Sequence, residues 1–251
     1  MISAALFDLD GTLLETEELK ALSYARAATE LRPDAVREAD VLAAYTNLVG
    51  LSREEVADAL MRDFRLEAAA RERMEELGEE EPWRAFVRLR LDVYEGLLEE
   101  PDLLLGQRYP HNIDLLHELR REGYPTALAT MSYRYQVRRV LSVLSLEDAF
   151  DVVVTRDDVR RGKPDPEMDL LAAEKLSVPS EEFLVIEDSP ARVEAALAAG
   201  MAVVAVATAL TRRGLRESGV LAPRWVVEDP RRLPEVVEKR IEAAGGRRSV
   251  V

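Results

Sequence analysis

Apolar residues follow two different rhythms along this chain, and the change of rhythm divides it. Ile2 to Phe7 is a short apolar run ended by Asp8, the pattern of a strand buried on both faces. From Glu15 to about Leu105 the rhythm is helical. Leu19, Leu22, Ala25, Arg26 and Thr29 open the first helix behind Thr16, a suitable N-cap with Glu17 and Glu18 in the first turn. Further helices are predicted over 34–49, 53–64, 67–77 and 83–98. Ser52 and Glu55 have capping-box spacing, and the acidic run Glu79-Glu80-Glu81-Pro82 reads as a solvated break.

After Pro101 strands and helices alternate. A helix over 111–122 is stopped by Gly123, and an apolar run over 125–130 ends in Thr130-Met131-Ser132. A helix over 135–144, a β-branched strand over 150–155, a helix over 166–176 and a strand over 183–186 follow. Ser189 and Pro190 then open a helix that Gly200 closes. A strand over 202–207, a short strand at Trp225-Val226-Val227 and a helix over 233–244 complete the series. This alternation predicts an α/β fold, a Rossmann-like parallel sheet with helices on both faces. The catalytic core is expected at 1–14 and 106–251, interrupted by an α-helical cap domain over 15–105.

Composition narrows the function. The 251 residues carry 47% hydrophobic side chains and a net charge of −14. That charge argues against a phosphate track for nucleic acid, which needs clustered Lys and Arg. There is no cysteine, and His111 and His117 are the only histidines, so a bound metal is expected on oxygen ligands, as a hard cation such as Mg²⁺. The N-terminus lacks a basic region and places Asp8 and Asp10 where a signal peptide is apolar. The uncharged run from Ala195 to Leu210 is too short to span a bilayer. A cytoplasmic monomer with neither nucleic acid nor membrane as partner is the expectation.

The predicted strand ends carry the chemistry. Asp8 and Asp10 follow the first strand, Thr130 and Ser132 the second, Lys163 the third, and Glu187 with Asp188 the fourth. In a parallel sheet these ends share one edge, where open α/β sheets bind ligands. Each group alone has a plainer reading: an Asp-Gly turn, a strand end, a solvated basic turn, or acids at a helix start. Their coincidence favours phosphate chemistry. Mg²⁺ would neutralise Asp8 and Asp188, while Thr130 and Lys163 hold phosphate oxygens.

Phe7-Asp8-Leu9-Asp10-Gly11-Thr12, Thr130-Met131-Ser132, Gly162-Lys163-Pro164-Asp165-Pro166 and Val185-Ile186-Glu187-Asp188-Ser189-Pro190-Ala191 with Ala199-Gly200-Met201 resemble the four motifs of the haloacid dehalogenase superfamily. The insert behind the first motif resembles the subgroup with a small helical cap, which includes β-phosphoglucomutase and many sugar phosphatases. The resemblance implies Asp8 as nucleophile, Asp10 as acid and then base, and a metal on the Asp8 carboxylate, the Asp10 carbonyl and Asp188, with Glu187 nearby. Because dehalogenases of the superfamily lack the second acid, Asp10 implies phosphoryl transfer.

In the cap, Arg53 within Gly50-Leu51-Ser52-Arg53 resembles a phosphate-gripping Arg of β-phosphoglucomutase, and Arg90 falls where that family has a substrate-facing Lys. Lys20 replaces its cap-hinge His. Ser132 and Arg134 are expected on the core side of the same phosphate pocket. The chain departs from the pattern at Met131 and at Arg192, where Gly is frequent. The resemblance therefore implies a Mg²⁺-dependent phosphatase of a small phosphorylated metabolite, with a phosphosugar mutase as the alternative and a non-catalytic binding protein as a third reading.

Overall fold

In a computed structural model, residues 1–48, 51 and 53–245 are described. The chain forms two compact units, Met1–Glu15 with Leu104–Val251, and Thr16–Leu103.

The first unit begins with β1 (Ala4–Phe7). The second holds α1 (Glu17–Leu31), α2 (Glu38–Tyr45), α3 (Arg53–Phe64), α4 (Glu67–Glu72), α5 (Met74–Leu77) and α6 (Pro82–Leu98). After α7 (Pro101–Gly106), the first unit resumes with α8 (Pro110–Arg121), β2 (Thr126–Ala129), α9 (Arg134–Leu144) and β3 (Val152–Val154). It continues through α10 (Glu167–Leu176), β4 (Phe183–Glu187), α11 (Pro190–Ala198), β5 (Ala202–Val206), α12 (Arg212–Ser218), β6 (Val226–Val227) and α13 (Leu233–Ala243).

Among the described residues the strands form one six-stranded sheet in the order β3-β2-β1-β4-β5-β6, with every pairing parallel. β1 is central, and Phe7 lies between Leu128 and Ile186. Alternate side chains of the strands, including Ala4, Leu6, Val185 and Val203, pack with Met168, Ala172, Val193 and Ala196 of α10 and α11. Helix α13 packs on β5, and α8 packs on α13. With both faces covered, the strands carry apolar residues at successive positions, as the sequence predicts.

The second unit buries Tyr24, Ala28, Val41, Leu60, Phe86 and Leu89 in a core of its own. Three local expectations are corrected. The helix predicted over 67–77 is two pieces, because at Arg73 the backbone N–H tightens onto the Ala70 and Arg71 carbonyls and the Arg73 side chain bonds to Glu30 and Glu76. Within the described part of the helix predicted over 34–49, the helical residues are those of α2, and Val49 lies outside the described residues. Thr16 and Ser189 stand at N-cap positions, but neither side chain makes a capping hydrogen bond; Pro190 at N1 and Gly200 at φ +80° punctuate α11 instead. Ser52 and Gly50 lie outside the described residues. No helix among those described is long and apolar enough to cross a membrane.

Candidate active site

The carboxyl ends of β1, β2 and β4 bring the predicted core residues together. Asp8 directly follows β1 and is fully buried. Three residues later the chain turns at Gly11, whose φ of +80° suits glycine. A Cβ there would lie 2.1 Å from Asp188 Oδ2, so the turn also admits the fourth-strand acid. Asn112 Nδ2 donates to the Thr12 carbonyl at 2.6 Å, which ties α8 to this turn.

The two acids have different surroundings. Asp8 lies between cations: Lys163 Nζ donates to its Oδ1 at 3.3 Å, and Arg192 Nη1 pairs with its Oδ2. Asp10 is held by hydroxyls. Ser132 Oγ and Thr130 Oγ1 both donate to its Oδ2, at 2.7 and 3.2 Å. Ser132 N–H in turn donates to Thr130 Oγ1 at 3.2 Å.

The Lys163 side chain is 3% exposed, not the solvated turn its basic neighbours suggested. It also donates to the Ala129 carbonyl at 3.2 Å and to Glu187 Oε1. Burial opposes its charge, but Glu187 and Asp169 outweigh that and hold the ammonium above its ordinary value. Burial pushes the Glu187 carboxyl up to about 8. Met131, one of the departures from the motif, packs over the loop before Lys163: a Cβ on Gly162 would meet its Cε at 2.4 Å.

Ligand oxygens of Asp8, Glu187 and Asp188 lie within 4.8 Å of one another, all buried. The all-oxygen donor set suits a hard cation. The structure supplies its own evidence that the point attracts positive charge. Asp8 Oδ2, the Asp10 carbonyl (2.7 Å) and Asp188 Oδ1 (3.4 Å) all converge on Arg192 Nη1, and Glu187 Oε2 is buried with no hydrogen-bond partner among the described residues.

Arg134 does not join this cluster. Its guanidinium bonds both carboxylate oxygens of Asp158 at 2.5 Å. The three cap residues lie in the other unit. Arg90 is 5% exposed, not on a solvated helix face: its guanidinium carbon stacks 5.0 Å from the Tyr24 ring and 4.7 Å from the Tyr94 ring. Lys20 pairs with Glu17 at 2.5 Å. Burial raises the Tyr24 hydroxyl, while Arg90, Arg53 and Lys20 all act electrostatically to lower it.

Sequence reasoning treated Arg192 only as a departure, although its place in the first helical turn, four residues after Asp188, is a signal. It also passed over Asp169, fully buried with neither carboxylate oxygen hydrogen-bonded among the described residues, and Asn112, whose role depends on contact across a hundred residues.

Comparison with known proteins identifies this arrangement. The sequence profile of the haloacid dehalogenase-like hydrolases matches residues 5–206. The chain belongs to that family. It is 31% identical over 221 residues to a validoxylamine A 7′-phosphate phosphatase of Streptomyces hygroscopicus, covering 88% of this chain and 93% of the relative. A phosphorylated carbohydrates phosphatase of Thermotoga maritima is 32% identical over 200 residues, covering 80% and 82%. Among solved structures, a T. maritima protein described as a candidate β-phosphoglucomutase superposes with a TM-score of 0.71 at 27% identity, covering 95% of this chain and 99% of that one.

Proposed function

We propose that this haloacid dehalogenase-type phosphoryl-transfer enzyme is a phosphatase of a small phosphorylated metabolite, a sugar phosphate in the first instance, acting through an aspartyl-phosphate at Asp8. The observation that carries the reading is the division between the acids, with Asp8 flanked by Lys163 and Arg192 and Asp10 held by two hydroxyls. A carboxylate between cations stays ionised, and so keeps the lone pair that attacks phosphorus. At Asp10, Oδ2 already accepts two hydrogen bonds, which leaves Oδ1 to exchange protons.

In the first step an Asp8 oxygen bonds to phosphorus as the phosphorus–oxygen bond to the leaving group breaks, and Asp10 gives that oxygen its proton. In the second, Asp10 takes a proton from water as the water oxygen attacks the aspartyl-phosphate, releasing phosphate and restoring Asp8. Lys163 and Thr130 steady phosphoryl oxygens. Asp8, the Asp10 carbonyl and Asp188, with Glu187 beside them, would hold Mg²⁺, which when bound offsets the phosphate's negative charge. Lys20, Arg53 and Arg90 are proposed to read the anionic substrate from the cap, with Ser132 in the core.

Two observations support a sugar phosphate. The carbohydrate-phosphate phosphatase relative covers 80% of the chain, and Arg90, Arg53 and Lys20 of the second unit all act electrostatically on Tyr24, a local positive field suited to an anion. The likeness to the T. maritima mutase candidate favours a second reading, phosphosugar mutation. Incubation with Mg²⁺, β-glucose 1-phosphate and a trace of bisphosphate separates the two: free phosphate supports the hydrolase, glucose 6-phosphate the mutase. Absence of turnover across a broad sugar-phosphate panel would sink both.

A further inference from the structure

Arg192 stands in the first turn of α11 with its side chain 17% exposed, and a single nitrogen meets three oxygens. Nη1 contacts Asp8 Oδ2, the Asp10 carbonyl at 2.7 Å and Asp188 Oδ1 at 3.4 Å. These are the oxygens proposed to hold Mg²⁺. A guanidinium nitrogen and a divalent ion cannot occupy one point, since their volumes overlap and like charges repel strongly in a buried setting.

We infer that Arg192 is an internal competitor for the divalent-ion position: its guanidinium fills that position in the ion-free protein, and the ion enters as the side chain withdraws. The inference rests on the metal ligands of the proposed function, but on no particular substrate.

The charges explain why a bare position is disfavoured. Asp8, Asp10, Glu187 and Asp188 are buried together against Lys163 and Arg192. If Arg192 withdrew alone, Asp8 and Asp188 would each lose a cationic partner. Ion binding is then an exchange of one cation for another, and the apparent affinity falls by the fraction of time the position is open. A guanidinium that holds the site about ten times as often as it vacates weakens the ion about tenfold. A chain with glycine at 192 has no such competitor, so the residue at this position sets the ion concentration at which the site fills.

The test is calorimetric titration of the whole chain with MgCl₂ alone, comparing wild type with Arg192→Ala and with Arg192→Gln, which keeps much of the side chain but not its charge. Circular dichroism checks that each variant is folded. Both variants should bind Mg²⁺ about tenfold or more tightly than wild type. Without Mg²⁺ both should melt below wild type, and saturating Mg²⁺ should close the gap. Equal or weaker Mg²⁺ affinity in the variants overturns the competition. Failure of all three proteins to bind Mg²⁺ overturns it together with the proposed metal ligands. Competition seen in a protein that releases no phosphate from any sugar phosphate would leave the inference standing and sink the phosphatase reading instead.

Discussion

Ser132 Oγ donates to Asp10 Oδ2 at 2.7 Å, so the hydroxyl after β2 engages one oxygen of the second acid and leaves the other for the proposed proton exchange. Removing a hydrogen bond to a charged group costs roughly 1.5–3 kcal/mol. Ser132→Ala is therefore expected to lower kcat by roughly ten- to a hundredfold with a much smaller change in KM. Steady-state kinetics on an aryl phosphate measure this, and an unchanged kcat would show that Asp10 does not depend on Ser132.

Lys163 joins Asp8 to Glu187. Lys163→Met leaves both carboxylates buried beside an apolar chain, and breaking a buried pair in this way costs about 3–5 kcal/mol. Adding Glu187→Leu to Lys163→Met should recover a large part of that loss by removing one stranded buried carboxyl. Denaturant unfolding of the single and double variants tests the coupling, and simple additivity would refute it.

Asp169 contributes to pH dependence with a definite sign. Burial raises its carboxyl above the ordinary value, and Lys163 only partly opposes this. The folded chain therefore binds the proton more tightly than the unfolded chain does. The stability gained by burying the protonated form is present below the ordinary Asp value, about 3.9, and is lost as pH rises toward the raised value. Asp169→Leu should flatten this fall and stabilise the protein at neutral pH by about 1–3 kcal/mol. Thermal melts at pH 4 and pH 7 provide the measurement; a larger fall in the variant than in wild type contradicts the assignment.

Gly11→Ala brings two penalties at once. The backbone there has φ +80°, and the new Cβ would fall 2.1 Å from Asp188 Oδ2. Displacing Asp188 should weaken Mg²⁺ binding at least tenfold, alongside roughly 1 kcal/mol or more of backbone strain. The shift in melting temperature on adding Mg²⁺ reports the weaker binding, the ion-free melting temperature reports the strain, and an unchanged Mg²⁺ shift would separate Gly11 from the ion site.

Arg53→Ala should raise KM for a sugar bisphosphate by roughly tenfold, the worth of one charge-assisted contact, with little effect on a simple aryl phosphate. Comparing the two substrates isolates recognition from chemistry. Equal effects on both would remove Arg53 from the reading of the substrate.

The strand ends were legible in sequence because each rests on a local signal. An apolar run breaks into a polar residue, and the parallel order then carries Asp8, Thr130, Lys163 and Asp188 to one edge. Helix ends were less legible: Thr16 and Ser189 are residues that commonly cap, but their side chains do not bond to the first-turn backbone. The partners of Arg134 were not legible either: Asp157 and Asp158 beyond β3 take its backbone N–H and its guanidinium, a contact that no local pattern reports. Arg192 was visible as an unusual residue, but its effect depends on three oxygens from two strand ends, which no local pattern reports.

The central place of β1 also bears on how the protein is made. Its pairing partners are 126–128 and 183–186, so this strand waits for residues more than a hundred positions later on both sides. Ribosomes extend a chain by about 5–20 residues per second, which leaves this apolar segment unpaired for many seconds while the helical insert emerges. Nascent chains released before β4 should therefore lack any catalytic competence and carry an open sheet edge prone to association, with the insert as the part able to fold first.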